Sequence, residues 1–396
     1  MSLFRRSAAA LAAAAFAAAA SPAAHAAPSP SPSVKVPEAL YGKSDPSFDG
    51  VWRQSFALLA LDSVAITPAD SAVEWLTGQQ CEDGGFPSFR ADTAKGCDPK
   101  TEDTNATAVA VQALVALGGH EAEVDRALTW LDKIKNKDGW PYNPGGVSDT
   151  NSSALVVMAF RAAHKKAPST LPTYVVTCDA PADERGAFAY QPDKKGKLYA
   201  NDSATAAAVL AQSDQIIPVK AGASGVEPGK VECRGKKATF ESGPASLGYL
   251  LNKAEKNGHH LDSPQKAAGP DFSTTANAAM ALAAAGQPDE AKNIVTWLEK
   301  NSGSWSKSRP AALANLILAA KATGGSPADF GGADLVQQLT NLGPAPSTKG
   351  KATGGMTRDE KKKDDEGGLS VWFTVGIGLL IGVGGGFLIS MRKKTG

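Results

Sequence analysis

Four short polar clusters combine carboxylate, hydroxyl and amide groups at the same place in a recurring pattern. They are Asp103-Thr104-Asn105, Asp149-Thr150-Asn151, Asn201-Asp202-Ser203, and Asp271 with Ser273. Each opens a run of small apolar residues. Side chains of these types accept hydrogen bonds from the free N–H groups of a helix start, worth about 1 kcal/mol each. Capping needs only some of them. The others form a set suited to a neutral, polar ligand rich in amides. The candidate ligand-binding residues are therefore Asp103, Thr104, Asp149, Thr150, Asn201, Asp202 and Asp271, with Trp140 and Tyr142 supplying flat aromatic surface. No catalytic or metal-ligating set emerges. The Asn-x-Ser/Thr sequons at Asn105, Asn151 and Asn201 coincide with the clusters and read as capping chemistry rather than glycan sites.

Four cysteines, Cys81, Cys97, Cys178 and Cys233, allow three connectivities. Pairing sequence neighbours gives Cys81–Cys97 and Cys178–Cys233. No Cys-x2-Cys spacing suits zinc. His120, His164, His259 and His260 fall at helix ends or connections and read as solvent-exposed turn residues.

The elements that must position these groups repeat. Trp75, Trp130 and Tyr249 are each followed eight residues later by Asp83-Gly84, Asp138-Gly139 and Asn257-Gly258, then by a polar cluster and an apolar run. Trp297 opens a shortened version. A period of roughly 40 to 55 residues marks a repeat architecture. The glycines supply the positive φ of a turn. The runs are of two kinds. Residues 121–135 place Val124, Ala127, Leu128, Leu131 and Ile134 on one stripe, an amphipathic surface helix. Residues 106–117 are apolar all round, a helix buried on every side. The pattern predicts inner helices at 50–63, 103–117, 149–164, 201–213, 271–285 and 309–322. Outer helices are predicted at 67–80, 120–135, about 168–178, 243–257, 287–300 and 332–342. Residues 214–240 read as an inserted loop with strand character. An open solenoid needs polar end caps; the end helices here are as apolar as the middle ones, which favours a closed ring.

Both ends of the chain carry targeting features. Residues 1–27 read as a signal peptide, with Arg5-Arg6, an apolar Ala8–Ala20 stretch and an Ala24-His25-Ala26 cleavage site. A Pro/Ser linker (28–40) leads into the ring domain (41–342), and a Gly/Pro/Lys/Asp-rich tether (343–368) leaves it. Leu369–Ser390 carries no charge, and a span over 369–391 is long enough to cross a bilayer. Basic residues in the tail 392–396 place it in the cytoplasm and the bulk outside the cell. Gly378, Gly382 and Gly386 share one helical face, a surface for self-association or for a membrane transporter. A net charge of +1, with 41 basic and 40 acidic residues, gives no footprint for nucleic acid.

The repeats carrying Gln79-Gln80-Cys81-Glu82-Asp83-Gly84-Gly85-Phe86 and Asp138-Gly139-Trp140-Pro141-Tyr142 resemble the prenyltransferase and squalene-cyclase repeat over about 50–340. The resemblance implies an all-α, α/α toroid of six inner and six outer helices. Terpene cyclases of that kind use an Asp-x-Asp-Asp acid, and prenyltransferases a zinc held by Asp, Cys and His; neither motif occurs here. Thioester domains carry Gln three residues after Cys, where this chain has Gly84. Transcobalamin-type carriers are similar in their Asp-Thr helix starts, which face a bound corrinoid. The resemblance thus implies a corrinoid-like ligand and no other cofactor, although the small β domain of such carriers is lacking. The expectation is an exported, membrane-anchored toroid that binds a small ligand or partner at the cell surface for uptake. The alternatives are a cyclase- or prenyltransferase-like enzyme and a non-catalytic surface interaction module.

Overall fold

The computed structural model describes residues 35–220, 225–264 and 269–348. The signal peptide, most of the linker and tether, the membrane span with Gly378, Gly382 and Gly386, and the tail lie outside the described residues. Among the described residues no helix is long and apolar enough to cross a membrane.

The described chain is mostly helical, as an all-α protein should be. Six helices form the inner layer: α1 (Gly50–Ser63), α3 (Thr104–Leu117), α5 (Thr150–Ala162), α6 (Asp202–Gln212), α8 (Phe272–Ala284) and α11 (Pro310–Ala322). Each packs on the next, and α11 returns to pack on α1, so the layer closes. These helices are rich in alanine and buried on nearly every face. Small side chains let their axes approach closely, and apolarity all round requires cover on both sides. The segments that flank the ring reinforce closure: the Gly42 N–H donates to the Leu342 carbonyl at 2.8 Å, and the Ser347 N–H to the Thr67 carbonyl at 3.0 Å.

Outer helices α2 (Asp70–Gly78), α4 (Glu121–Ile134), α7 (Ser242–Lys256), α9 (Pro288–Asn301) and α12 (Leu335–Thr340) cover this ring, with a short α10 (Gly303–Ser306) before α11. The expected outer helix near 168–178 does not form. Pro168 and Pro172 interrupt it, and Thr173, Val175, Val176 and Thr177 are β-branched. The stretch is extended instead: the Val176 N–H donates to the Ala187 carbonyl and the Ala189 N–H to the Tyr174 carbonyl, both at 2.8 Å. Cys178 ties it to Cys233 on the hairpin β3 (Glu232–Arg234)–β4 (Lys237–Thr239), which supplies the strand character expected of the insertion. A second disulfide joins Cys81 to Cys97. Both bonds are those that pair sequence neighbours.

His259 and His260 depart from expectation, whereas His164 is exposed just past the end of α5 as predicted. His259 Nδ1 lies 2.8 Å from Oε1 of the buried Glu290 on α9, and His260 stacks on Trp297 at 4.5 Å between centroids. These two pin the α7–α8 connection to α9.

The turn glycines behave as the spacing predicts. Gly84 has φ +106° and Gly139 φ +131°. A Cβ at Gly84 would overlap the Arg126 carbonyl, which is helix backbone. Gly84→Ala should therefore lower stability by at least about 2 kcal/mol, measurable as a shift of the urea midpoint.

Candidate functional site

One device is built four times at the inner-helix starts. Asp103, Asp149, Asn201 and Asp271 cap α3, α5, α6 and α8, each side chain accepting from the backbone N–H three residues on at 2.8–2.9 Å. Four residues past each cap stands a hydroxyl: Thr107, Ser153, Thr205 or Thr275. It donates to the carbonyl of the cap residue. It also accepts from the backbone N–H of a buried residue in the incoming turn, Phe86, Trp140, Phe188 or Leu261, at 2.9–3.0 Å. The turn is thereby locked to the helix it feeds. For α5 the lock includes a two-strand pairing of β1 (Trp140–Pro141) with β2 (Ser148–Asp149).

Contacts between neighbours bring these starts to one end of the ring. The Ser88 hydroxyl donates to Asp103 Oδ2 at 3.1 Å, and the Tyr142 hydroxyl to the same oxygen at 2.6 Å. Asn151 Nδ2 donates to Ser203 Oγ at 3.1 Å, linking α5 to α6. Asn315 Nδ2 donates to the Ser273 carbonyl at 3.3 Å, linking α11 to α8. A cavity of about 390 Å³ opens there between α1, α8 and α11, lined by Asp49, Trp52, Ser273, Asn277, Trp305 and Asn315 among others.

The predicted site residues occupy three settings. Thr104, Thr150 and Trp140 are fully buried. Thr150 Oγ1 donates to the Ala189 carbonyl, and the Trp140 indole N–H to the Leu131 carbonyl, at 2.7 Å each. Their side chains do not reach the open space. Asp103, Asp149 and Asp202 are each bonded to a tyrosine, Tyr142, Tyr190 and Tyr249 respectively, while Asp271 accepts from both Thr274 groups. Burial raises the Asp149 carboxyl, opposed by the bonds it accepts from Ser152 and Tyr190. Burial also raises Asp202, with Tyr249 and Lys253 opposing. The Tyr190 hydroxyl is pushed up to about 12, by burial and then by the Asp149 charge. These carboxylates mainly hold structure. Tyr142 alone of the predicted set is well exposed.

The cluster members left partly open are ones the sequence pattern contained but did not put among the candidate ligand-binding residues. Asn105, Asn151, Ser203 and Ser273 all stand two residues past a cap, at one shared helical position. Asn277 and Asn315 stand one turn deeper, at four-residue spacing from Ser273 and Ala311. On helices otherwise sealed from solvent, Asn105, Asn151, Ser203, Ser273 and Asn277 are among the few residues left partly open. The Oδ1 atoms of Asn105, Asn151 and Asn315 are buried and have no hydrogen-bond partner. The recurrence of an amide or hydroxyl two past the cap was the available signal. Exposed aromatics frame the same end: Phe48 before α1, Tyr142 before α5, and Tyr190 and Tyr199 before α6.

No protein-family model matches the chain, and no curated protein matches it. Among solved structures it is similar to haptocorrin in complex with Cbi, at 14% sequence identity and a TM-score of 0.37. The match covers 76% of this chain and 65%, less than two thirds, of the haptocorrin chain.

Proposed function

We propose that the polar mouth at the inner-helix starts is a binding site for one small, largely neutral ligand carrying amide or hydroxyl groups on a flat body. The observation that carries this reading is the cavity that holds the buried, partnerless Asn315 oxygen, with the equally partnerless oxygens of Asn105 and Asn151 at the starts of α3 and α5. A buried acceptor left unpaired costs about 1–3 kcal/mol, which a ligand N–H or O–H would recover. The aromatic lip of Tyr142, Tyr190, Tyr199 and Phe48, with Trp52 and Trp305 inside, offers flat surface to the ligand body. A cavity of about 390 Å³ encloses part of such a molecule and leaves the rest at the lip.

Corrinoids are the first class to test, on the strength of the amide and hydroxyl groups, Ser273, Asn277 and Asn315, that line the cavity. The two disulfides support export, since such bonds persist in oxidising compartments. The signal peptide and apolar C-terminal segment read from the sequence extend this to a membrane-held protein that passes its ligand to a transporter. Titration of full-length protein in detergent with corrinoids and with isoprenoid alcohols tests the reading. Native mass spectrometry and tryptophan fluorescence, to which Trp52 and Trp305 in the cavity contribute, are expected to report 1:1 uptake of a corrinoid. Silence toward every corrinoid would remove that ligand class.

A further inference from the structure

The Cys81–Cys97 bond, which joins the turn after α2 to the loop before α3, has a neighbour, the residue before the α3 cap, that packing alone does not explain. Glu102 lies with both sulfur atoms in a group whose ligand atoms are all within 4.8 Å of one another. Its side chain is 1% exposed, with the Trp130 indole and the Asp83 carboxyl beside it. Cys81 is buried, whereas Cys97 is half-buried on an exposed loop. A cavity of about 680 Å³ opens over the bond.

We propose that Cys81–Cys97 is an exchange-active disulfide, in which an external thiolate attacks Sγ of Cys97 and Glu102 protonates the departing sulfur of Cys81. The co-reactant is a dithiol. Its first thiolate forms a bond to Cys97 Sγ as the Cys81–Cys97 bond breaks, and the electron pair of that bond passes to Cys81 Sγ. The proton from the Glu102 carboxyl completes the Cys81 thiol. The second thiol of the reagent then displaces Cys97 as a thiol and closes the reagent's own disulfide. Two electrons move from reagent to protein, and solvent returns the proton to Glu102.

The surroundings fit an acid in this role. A thiolate departing into a buried site is a poor leaving group until protonated. Burial raises Glu102 from 4.5 to about 7, and the Asp83 charge adds to this, while the Trp130 indole and Lys133 oppose it. The charged groups facing it are thus Asp83 from the turn after α2 and Lys133 from α4; Glu82, Arg90 and Lys95 line the same cavity. Glu102 therefore still carries a proton just below neutral pH and loses it just above.

The test is reduction of the full-length chain by dithiothreitol from pH 6 to 8, with acid quenching, alkylation and mass spectrometry of each cysteine pair. The rate for Cys81–Cys97, expressed per reagent thiolate, should fall roughly tenfold across that range. In Glu102→Gln it should be roughly tenfold slower at pH 6 and independent of pH. Cys178–Cys233 should reduce alike in both proteins. Equal Cys81–Cys97 rates in the two proteins would overturn the proposal. So would a wild-type rate per thiolate that does not vary with pH, a result that stands whether or not the variant folds.

Discussion

Glu102→Gln is expected to stabilise the protein by about 3 kcal/mol at pH 8 and to change little at pH 4.5. Burial raises this carboxyl from 4.5 to about 7, so the folded state holds a proton that the unfolded chain has released. Stability linked to that proton is fully present below about pH 4.5 and is lost as pH rises through about 7. A shift of about 2.5 units corresponds to about 3 kcal/mol at 1.36 kcal/mol per unit. At 1% exposure, solvent does little to screen the charge. Glutamine keeps the shape of the neutral acid and cannot ionise. Urea denaturation at the two pH values checks this, and an equal difference at both would contradict it.

Asp149→Ala is expected to cost about 3 kcal/mol, and Asp149→Asn less than about 1 kcal/mol. Asp149 accepts from the Ser152 N–H at 2.8 Å, from the Ser152 hydroxyl at 2.7 Å and from Tyr190. Alanine deletes a helix cap, worth about 1 kcal/mol, and leaves two further donors without an acceptor at a site that is 1% exposed. It also removes a buried charge whose desolvation is unfavourable, which limits the net loss. Asparagine retains an acceptor oxygen for the cap and carries no charge. Chemical denaturation of both variants checks the order; an alanine variant as stable as the asparagine one would show that the cap bonds carry little.

The inner layer was readable because each of its helices is apolar on all sides, a pattern that allows no other placement. Asp103, Asp149, Asn201 and Asp271 were recognisable as caps from local order alone. The outer layer was less legible at 168–178, where one-sided cover can be supplied by extended chain as well as by helix. What the sequence did not reveal was direction. Thr104 and Thr150 lie one residue past their caps and turn into the protein, whereas Asn105 and Asn151 lie one residue further and stay partly open. That 100° step decides which cluster member can touch a ligand. Glu102 gave no local sign either, because Cys81, Cys97 and Trp130 reach it only through the fold, as Glu290 reaches His259.

The mouth itself is tested most directly by filling it. Ala311 lies on α11 inside the cavity and is half-buried, with Trp52, Asn277 and Asn315 among the other lining groups. Corrinoid titration of full-length wild type and Ala311→Trp, followed by native mass spectrometry, should show 1:1 binding to the first and at least roughly thirtyfold weaker binding to the second, about 2 kcal/mol. Equal affinity in the two proteins would place the ligand elsewhere on the molecule and contradict the account.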